Sequence, residues 1–135
     1  GPNSKSYFDK LKKLAKQRGN VEFISHVPQE EVFQNMLEAK LNVLISWVET
    51  PGLVSLEAAY ARCNILVSNK GSVKDYFKHY AFYCNPDNIQ EIKNKTFEAI
   101  NTKFDNNFRN LIISKYSWNT TSKQTLEAYK KVLSA

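Results

Sequence analysis

The sequence has few of the features that mark linkers, disulfide frameworks and membrane spans. Among 135 residues there are only four glycines and four prolines, and no segment repeats at a fixed period. The two cysteines, Cys63 and Cys84, are far apart and belong to no Cys-x-x-Cys pair. This spacing favours buried free thiols in a reducing cytoplasm over a secreted disulfide framework. No apolar run is long enough to cross a bilayer.

Apolar and basic residues are what the chain does have. Its hydrophobic content is 42%, with seven Tyr, eight Phe and two Trp, which is enough to fill the core of one domain covering residues 1–135. The formal charge is +6, which favours an anionic partner. Lysines cluster near the two ends of the chain: Lys10, Lys12, Lys13, Lys16, Lys123, Lys130 and Lys131.

These lysines have two interpretations, solvated helix faces or a peripheral contact with an anionic membrane surface. A specific nucleic-acid partner is not expected, because no basic ladder is interleaved with aromatic residues that would stack on bases.

Short apolar segments alternate with helical patterns along the first two thirds of the chain. We predict strands at 21–25, 41–46, 64–68 and 80–84, an α/β core over 1–87, and C-terminal helices over 88–135. Strands 41–46 and 64–68 are continuous apolar runs, as is typical of strands covered on both faces. The alternation predicts a Rossmann-like parallel sheet of about four strands, ordered as in the sequence and flanked by helices.

Ligands in such sheets bind beyond the carboxyl ends of the strands, and the loop after strand 41–46 carries the most chemistry there. Gly52 lacks a side chain where the next helix begins, so nearby backbone amides can approach an anion, with a hydroxyl added from the first turn. The residues predicted to form this anion site are Gly52, Leu53, Val54 and Ser55.

Two acids, Glu49 and Glu57, border the same space. A carboxylate repels a phosphate, so its useful role there is to accept hydrogen bonds from hydroxyl groups attached to the phosphate, as an acid does on a ribose diol. The alternative is a pair of exposed acids without a function. Glu57 has Ala61 four residues ahead rather than Lys or Arg, so a surface ion pair on the helix does not explain it.

Three stretches carry a resemblance to a known family: SWVETPGLVSLEAAYARCNILVSNKGSVKDYF, YAFYCNPDNIQEI and YSWNTTSKQTLEAYKKVL. The first contains Glu, seven residues and Glu. In this order they resemble the C-terminal, nucleotide-sugar-binding half of GT-B glycosyltransferases of the retaining family four, also called group 1. The resemblance implies transfer of a hexose-type sugar from a nucleotide-diphosphate donor, with retention, in polysaccharide or glycoconjugate synthesis.

The resemblance also implies roles for individual residues. Glu49 and Glu57 would be the catalytic-site acids, with Glu57 binding the ribose hydroxyls and Glu49 the hydroxyls of the transferred sugar. The amides of residues 52–54 would bind the sugar or the diphosphate, and the turn at His26 and Val27 would lie near the base. No metal ion or other cofactor is expected.

The sequence departs from the family in two places. Family members usually have Gly where this chain has Arg62, and Arg there predicts a different helix ending. Gly1-Pro2 looks like the end of the second strand of the family's C-terminal half. We therefore expect an N-terminally truncated domain that lacks the cations opposing the diphosphate and the acceptor-binding domain, and that is inactive alone. Its uncovered sheet edge makes a homodimer plausible.

A second hypothesis belongs to a different class of function. The chain is then a non-catalytic α/β interaction or membrane-docking module that has lost donor binding. Under either hypothesis we expect a cytoplasmic protein, with a peripheral position at the inner face of the membrane as one interpretation of the basic faces.

Overall fold

The computed structural model describes residues 4–134, and within this range the chain forms seven helices and three strands. The prediction made for Gly1-Pro2 lies outside the described residues. In chain order the elements are α1 (Ser4–Arg18), α2 (Gln29–Glu38), β1 (Leu41–Leu44), α3 (Leu53–Tyr60), β2 (Asn64–Ser68), α4 (Val73–Phe77), β3 (Phe82–Cys84), α5 (Ile89–Asn101), α6 (Asn106–Tyr116) and α7 (Trp118–Leu133).

The three strands form one parallel sheet in the order β1-β2-β3. Leu41 pairs with Asn64 at one end of the β1–β2 ladder and Leu44 with Val67 at the other, while Ser68 pairs with Cys84 across β2 and β3. The predicted α/β class, the parallel sheet and the helical C-terminal region are confirmed. Strands β1 and β3 are shorter than predicted, since their pairing with β2 covers only 41–44 and 82–84.

The predicted strand at 21–25 is wrong. These residues form no strand, all five are exposed, and within the described part of the chain their backbone makes no hydrogen bond. A β-strand needs a neighbour for its N–H and C=O groups, and this segment instead lies against α1, where the rings of Phe8 and Phe23 meet edge to face at 5.4 Å. The sheet of the described residues therefore has three strands rather than four.

Each face of β2 meets different helices. Ile65 and Val67 pack with the buried residues of α3 and α6, where Ala58, Ala59 and Phe108 are almost fully enclosed. Asn64 projects to the other face, where its amide donates to two carbonyl groups at the end of α5. The sheet is thus covered on both faces at its centre.

Burial also governs the chemistry of the two cysteines. Cys63 and Cys84 are both free and buried, as predicted. Desolvation raises the pKa of both thiols, and the nearby Glu91 carboxylate adds to this effect at Cys84. Both side chains therefore favour the neutral form, which is unreactive.

The end of α3 corrects the expectation for Arg62. Cys63 N–H donates to the Ala58 carbonyl at 2.9 Å and Arg62 N–H to the Ala59 carbonyl at 3.1 Å, the two bonds of a Schellman ending. Arg62 takes the left-handed conformation that glycine usually supplies, with φ of 72°. The helix ending is therefore the usual one, and an arginine adopts it at a cost in backbone strain.

Candidate functional site

The N-terminus of α3 lies just beyond the carboxyl end of β1 and presents free backbone donors. Gly52 caps the helix in the left-handed region, with φ of 70° and ψ of 63°, and its carbonyl accepts from Ser55 N–H at 2.9 Å. Among the described residues, the N–H groups of Gly52, Leu53 and Val54 have no acceptor. Three donors and the positive end of the helix dipole therefore meet at one point, which is the arrangement an anion prefers.

Glu49 lies in the loop that leads into this helix, and its half-buried carboxylate is oriented by two hydrogen bonds. Ser46 Oγ donates to Oε2 at 3.3 Å, and Thr50 N–H donates to Oε1 at 3.2 Å. A Cβ atom on Gly52 would lie 3.3 Å from Glu49 Cγ, so the acid packs directly against the start of α3. The Glu49 carboxylate therefore lies beside the start of α3, next to the free amides.

Glu57 lies about one turn into α3, and its carboxylate is exposed. Gln29, the first residue of α2, donates from Nε2 to Glu57 Oε1 at 3.3 Å. This contact brings the preceding turn, with His26 and Val27, close to the start of α3. No role was predicted for the Gln29 side chain, because its contact joins residues 28 positions apart.

Ser55 occupies a different place from the one the sequence suggested. Its side chain is fully buried, and its Oγ donates to Asn42 Oδ1 at 2.9 Å. The hydroxyl is thus engaged in fixing α3 to β1, and only the backbone of this first turn faces the anion site. Asn42 was not singled out from the sequence; the one available signal was a polar amide within the apolar run LNVLIS.

One of the two remaining predicted residues, Val27, lines a groove beside the site. His26 is exposed, whereas Val27 is half-buried and lines a cavity of about 370 Å³ between the 24–27 segment, α2, β1 and the start of α3. Val54 lines the same cavity, so it connects directly to the helix N-terminus. Most of the other lining residues are apolar, namely Ile24, Val32, Met36, Ala39, Leu41 and Cys63, and the polar ones are Ser25, Asn35 and Asn42.

Residues 4–134 offer neither a metal site nor a membrane-spanning helix. No group of three or more His, Cys, Asp or Glu side chains is arranged to hold a metal ion in this part of the chain. None of the helices described there is both long and apolar enough to cross a membrane.

Comparison with known proteins gives a matching family and several similar proteins. Residues 1–117 match the family described as glycosyl transferases group 1. An uncharacterised glycosyltransferase from Methanocaldococcus jannaschii is 28% identical over 132 residues, a match that covers 90% of this chain and 34% of that protein. Sucrose-phosphate synthase from Thermosynechococcus elongatus has a similar structure, with a TM-score of 0.80 at 16% identity, covering 96% of this chain and 35% of the other.

The chain thus spans about a third of the length of either relative. The structural match extends over the whole α/β unit, so the Rossmann-like arrangement expected from the resemblance to GT-B proteins is confirmed.

Proposed function

The chain belongs to the group 1 glycosyl transferases, and we propose that it forms the donor-binding part of such an enzyme, with a nucleotide-diphosphate sugar as donor. One observation carries the proposal most strongly. Glu49 packs against Gly52 beside the free amides at the N-terminus of α3, and Glu57 lies about one turn further along the same helix. Amides suit a diphosphate, and acids beside them suit the hydroxyl groups on its two sides.

The order of these groups supports an orientation for the donor. The turn at His26 and Val27 lies next to Glu57 through Gln29, so we place the base at this turn and the ribose hydroxyls on Glu57. The diphosphate then lies over the amides of residues 52–54, and the transferred sugar reaches Glu49. Ser55 is assigned to holding α3 in place rather than to binding the donor.

The reaction we assign to the complete enzyme is transfer of a hexose-type sugar with retention, in polysaccharide or glycoconjugate synthesis. The bond from the anomeric carbon to the phosphate oxygen breaks and the nucleoside diphosphate leaves. A bond from the same carbon to the acceptor oxygen forms with the same configuration, and the proton of the acceptor hydroxyl passes to the leaving diphosphate. No role for a metal ion is proposed. Because the chain spans about a third of its relatives, we assign acceptor binding to other parts of a longer protein and expect residues 1–135 alone to transfer no sugar.

Binding of a donor can be tested with amide NMR spectra during titration with UDP-glucose, GDP-mannose and the free diphosphates UDP and GDP. We expect shifts to gather at residues 49–57 and at Gln29. Glu57→Gln should lower the affinity for the free nucleoside diphosphates and for the nucleotide sugars alike, whereas Glu49→Gln should lower the affinity for the nucleotide sugars only. Each change removes a charge-assisted hydrogen bond, so the expected loss is about tenfold to a hundredfold.

The matched control is Glu127→Gln, which removes an exposed carboxylate on α7, away from the site. It should leave both affinities unchanged. Shifts confined to other parts of the chain, or equal effects of the three substitutions, would contradict the proposed donor site.

The second candidate, a docking module, rests on α7. No residue of this helix is buried, and a stripe of large apolar side chains is exposed along it: Trp118, Leu126, Tyr129, Val132 and Leu133. Lys123, Lys130 and Lys131 add positive charge on the same helix, a composition that suits an anionic membrane surface at the cytoplasmic face.

This candidate predicts co-sedimentation with vesicles containing phosphatidylserine. Binding should persist in Glu49→Ala and Glu57→Ala and fall at high salt. Binding of UDP-glucose without co-sedimentation with the vesicles would rule out the docking module.

A further inference from the structure

The loop between β2 and α4 presses its glycine against the backbone of Glu49. Gly71 has φ of +71°, and a Cβ atom built on it would lie 2.5 Å from the Glu49 carbonyl oxygen and 3.1 Å from the Glu49 nitrogen. Both neighbours are backbone atoms, so rotation of a side chain cannot relieve the contact. The next residue, Ser72, donates its N–H to the same Glu49 carbonyl at 3.3 Å.

Glu49 is therefore held from three sides. Gly71 and Ser72 fix its backbone, Gly52 lies against its Cγ, and Ser46 donates to its carboxylate. The contacts with Gly71 and Ser72 come from a loop about twenty positions further along the chain. The place of the carboxylate beside the amides of α3 thus depends on the close approach of this loop.

We propose that Gly71 is a positioning residue for the donor site and acts through Glu49. The proposal rests on the proposed function, since the ligand it serves is the sugar of the nucleotide donor. A side chain at position 71 must move from 2.5 Å to an ordinary contact of 3.4 Å, a displacement of about 0.9 Å. Binding groups must be held to within about 0.5 Å of their productive geometry, so this displacement takes Glu49 out of reach of its hydroxyl partner.

The chain supplies a matched control in Gly19, at the end of α1. This residue also has φ of +71°, yet a Cβ atom there would meet nothing within 4 Å. Gly19→Ala and Gly71→Ala therefore carry the same backbone strain, and only the second disturbs Glu49. A difference between the two variants isolates the contact from the general effect of alanine in the left-handed region.

The test compares the two variants in UDP-glucose and GDP-mannose titrations and in amide spectra without ligand. Gly71→Ala should weaken binding at least about tenfold, the loss expected for one charge-assisted hydrogen bond, and should move the amide signals of Glu49 and Thr50. Gly19→Ala should leave both unchanged. In a Glu49→Ala background, Gly71→Ala should cost little further affinity, because the group through which it acts is gone.

Each other outcome decides against a specific statement. Equal affinities of the two variants, or an undiminished loss in the Glu49→Ala background, would overturn the positioning role. If the parent binds neither nucleotide sugar, the proposed donor fails, while unmoved Glu49 signals in Gly71→Ala would separately reject the positioning. If Gly71→Ala does not fold, Ser72→Pro serves instead, because it removes the N–H that donates to the Glu49 carbonyl. This variant should also lower the affinity for the nucleotide sugars.

Discussion

Removing the Ser55 hydroxyl separates a structural role of this residue from a binding role. In Ser55→Ala, the partly buried hydrogen bond to Asn42 is lost and Asn42 Oδ1 is left without its donor. A neutral hydrogen bond contributes about 0.5 to 1.5 kcal/mol, and an unsatisfied acceptor adds to the loss. Asn42 is half-buried, so water replaces part of the bond, and we expect a total destabilisation of about 1 to 2 kcal/mol.

For a domain of this size, such a loss lowers Tm by about 4 to 7 °C. Thermal unfolding followed by circular dichroism measures it directly. Ser122→Ala is the control, because its exposed hydroxyl donates only to a carbonyl within α7, and its effect should stay within about 0.5 kcal/mol. Combining Ser55→Ala with Asn42→Val should recover part of the loss, since no polar group is then left unpaired.

The refuting result concerns the ligand. If the hydroxyl only fixes α3 to β1, Ser55→Ala should bind UDP-glucose or GDP-mannose within about twofold of the parent at a temperature where both are folded. An unchanged Tm with a tenfold weaker nucleotide-sugar complex would show that the hydroxyl faces the donor.

Three further predictions concern stability. Burial raises the pKa of Tyr83 to about 12, so between about pH 10 and pH 12 the folded chain keeps this proton and the unfolded chain loses it. Because Tyr83 is partly exposed, we expect the free energy of unfolding to fall by about 1 to 2 kcal/mol over this pH range. Urea unfolding measures this fall, which should be smaller in Tyr83→Phe. Arg62→Gly relieves backbone strain of about 1 to 2 kcal/mol in the left-handed region, but glycine also raises the conformational entropy of the unfolded chain. We therefore expect Tm to rise by no more than about 4 °C, and a lower Tm would refute the strain. The Asn64 amide donates to the Ala99 and Thr102 carbonyls, and in Asn64→Asp both carbonyls face a carboxylate that they repel. We expect Asn64→Asp to lower the free energy of unfolding by about 3 kcal/mol or more, a larger loss than in Asn64→Leu, as denaturant unfolding will measure.

Local patterns in the sequence were sufficient for most elements but not for the segment 21–25. VEFIS has the composition of a strand, and the structure leaves it unpaired against α1. Whether a strand forms depends on a partner that is distant in sequence, and composition carries no information about that partner. For the same reason the ends of β1 and β3 follow their pairing with β2 rather than their apolar runs.

The residues of the candidate site divide in a similar way. The Glu49–Glu57 spacing and the glycine before α3 are local, so their placement around one helix N-terminus followed from the sequence. The contacts of Gln29, Asn42 and Gly71 are non-local and did not. Helical spacing held a usable signal for one residue: Ser55 lies three and four positions before the buried Ala58 and Ala59, which places its hydroxyl on the inner face of α3.

The two acids are held with different firmness, and this difference predicts how each end of a donor would bind. Glu49 is fixed through its backbone by the 69–72 loop and through its side chain by Ser46, whereas Glu57 is exposed and has one exposed hydrogen bond from Gln29. An exposed bond at 3.3 Å is exchanged for water or ligand at little cost. Glu49, at the proposed position of the transferred sugar, is therefore oriented before binding, while Glu57, at the proposed position of the ribose, releases Gln29 when a ligand binds. Gln29→Ala should then leave nucleotide affinity nearly unchanged, whereas Gly71→Ala should lower nucleotide-sugar affinity.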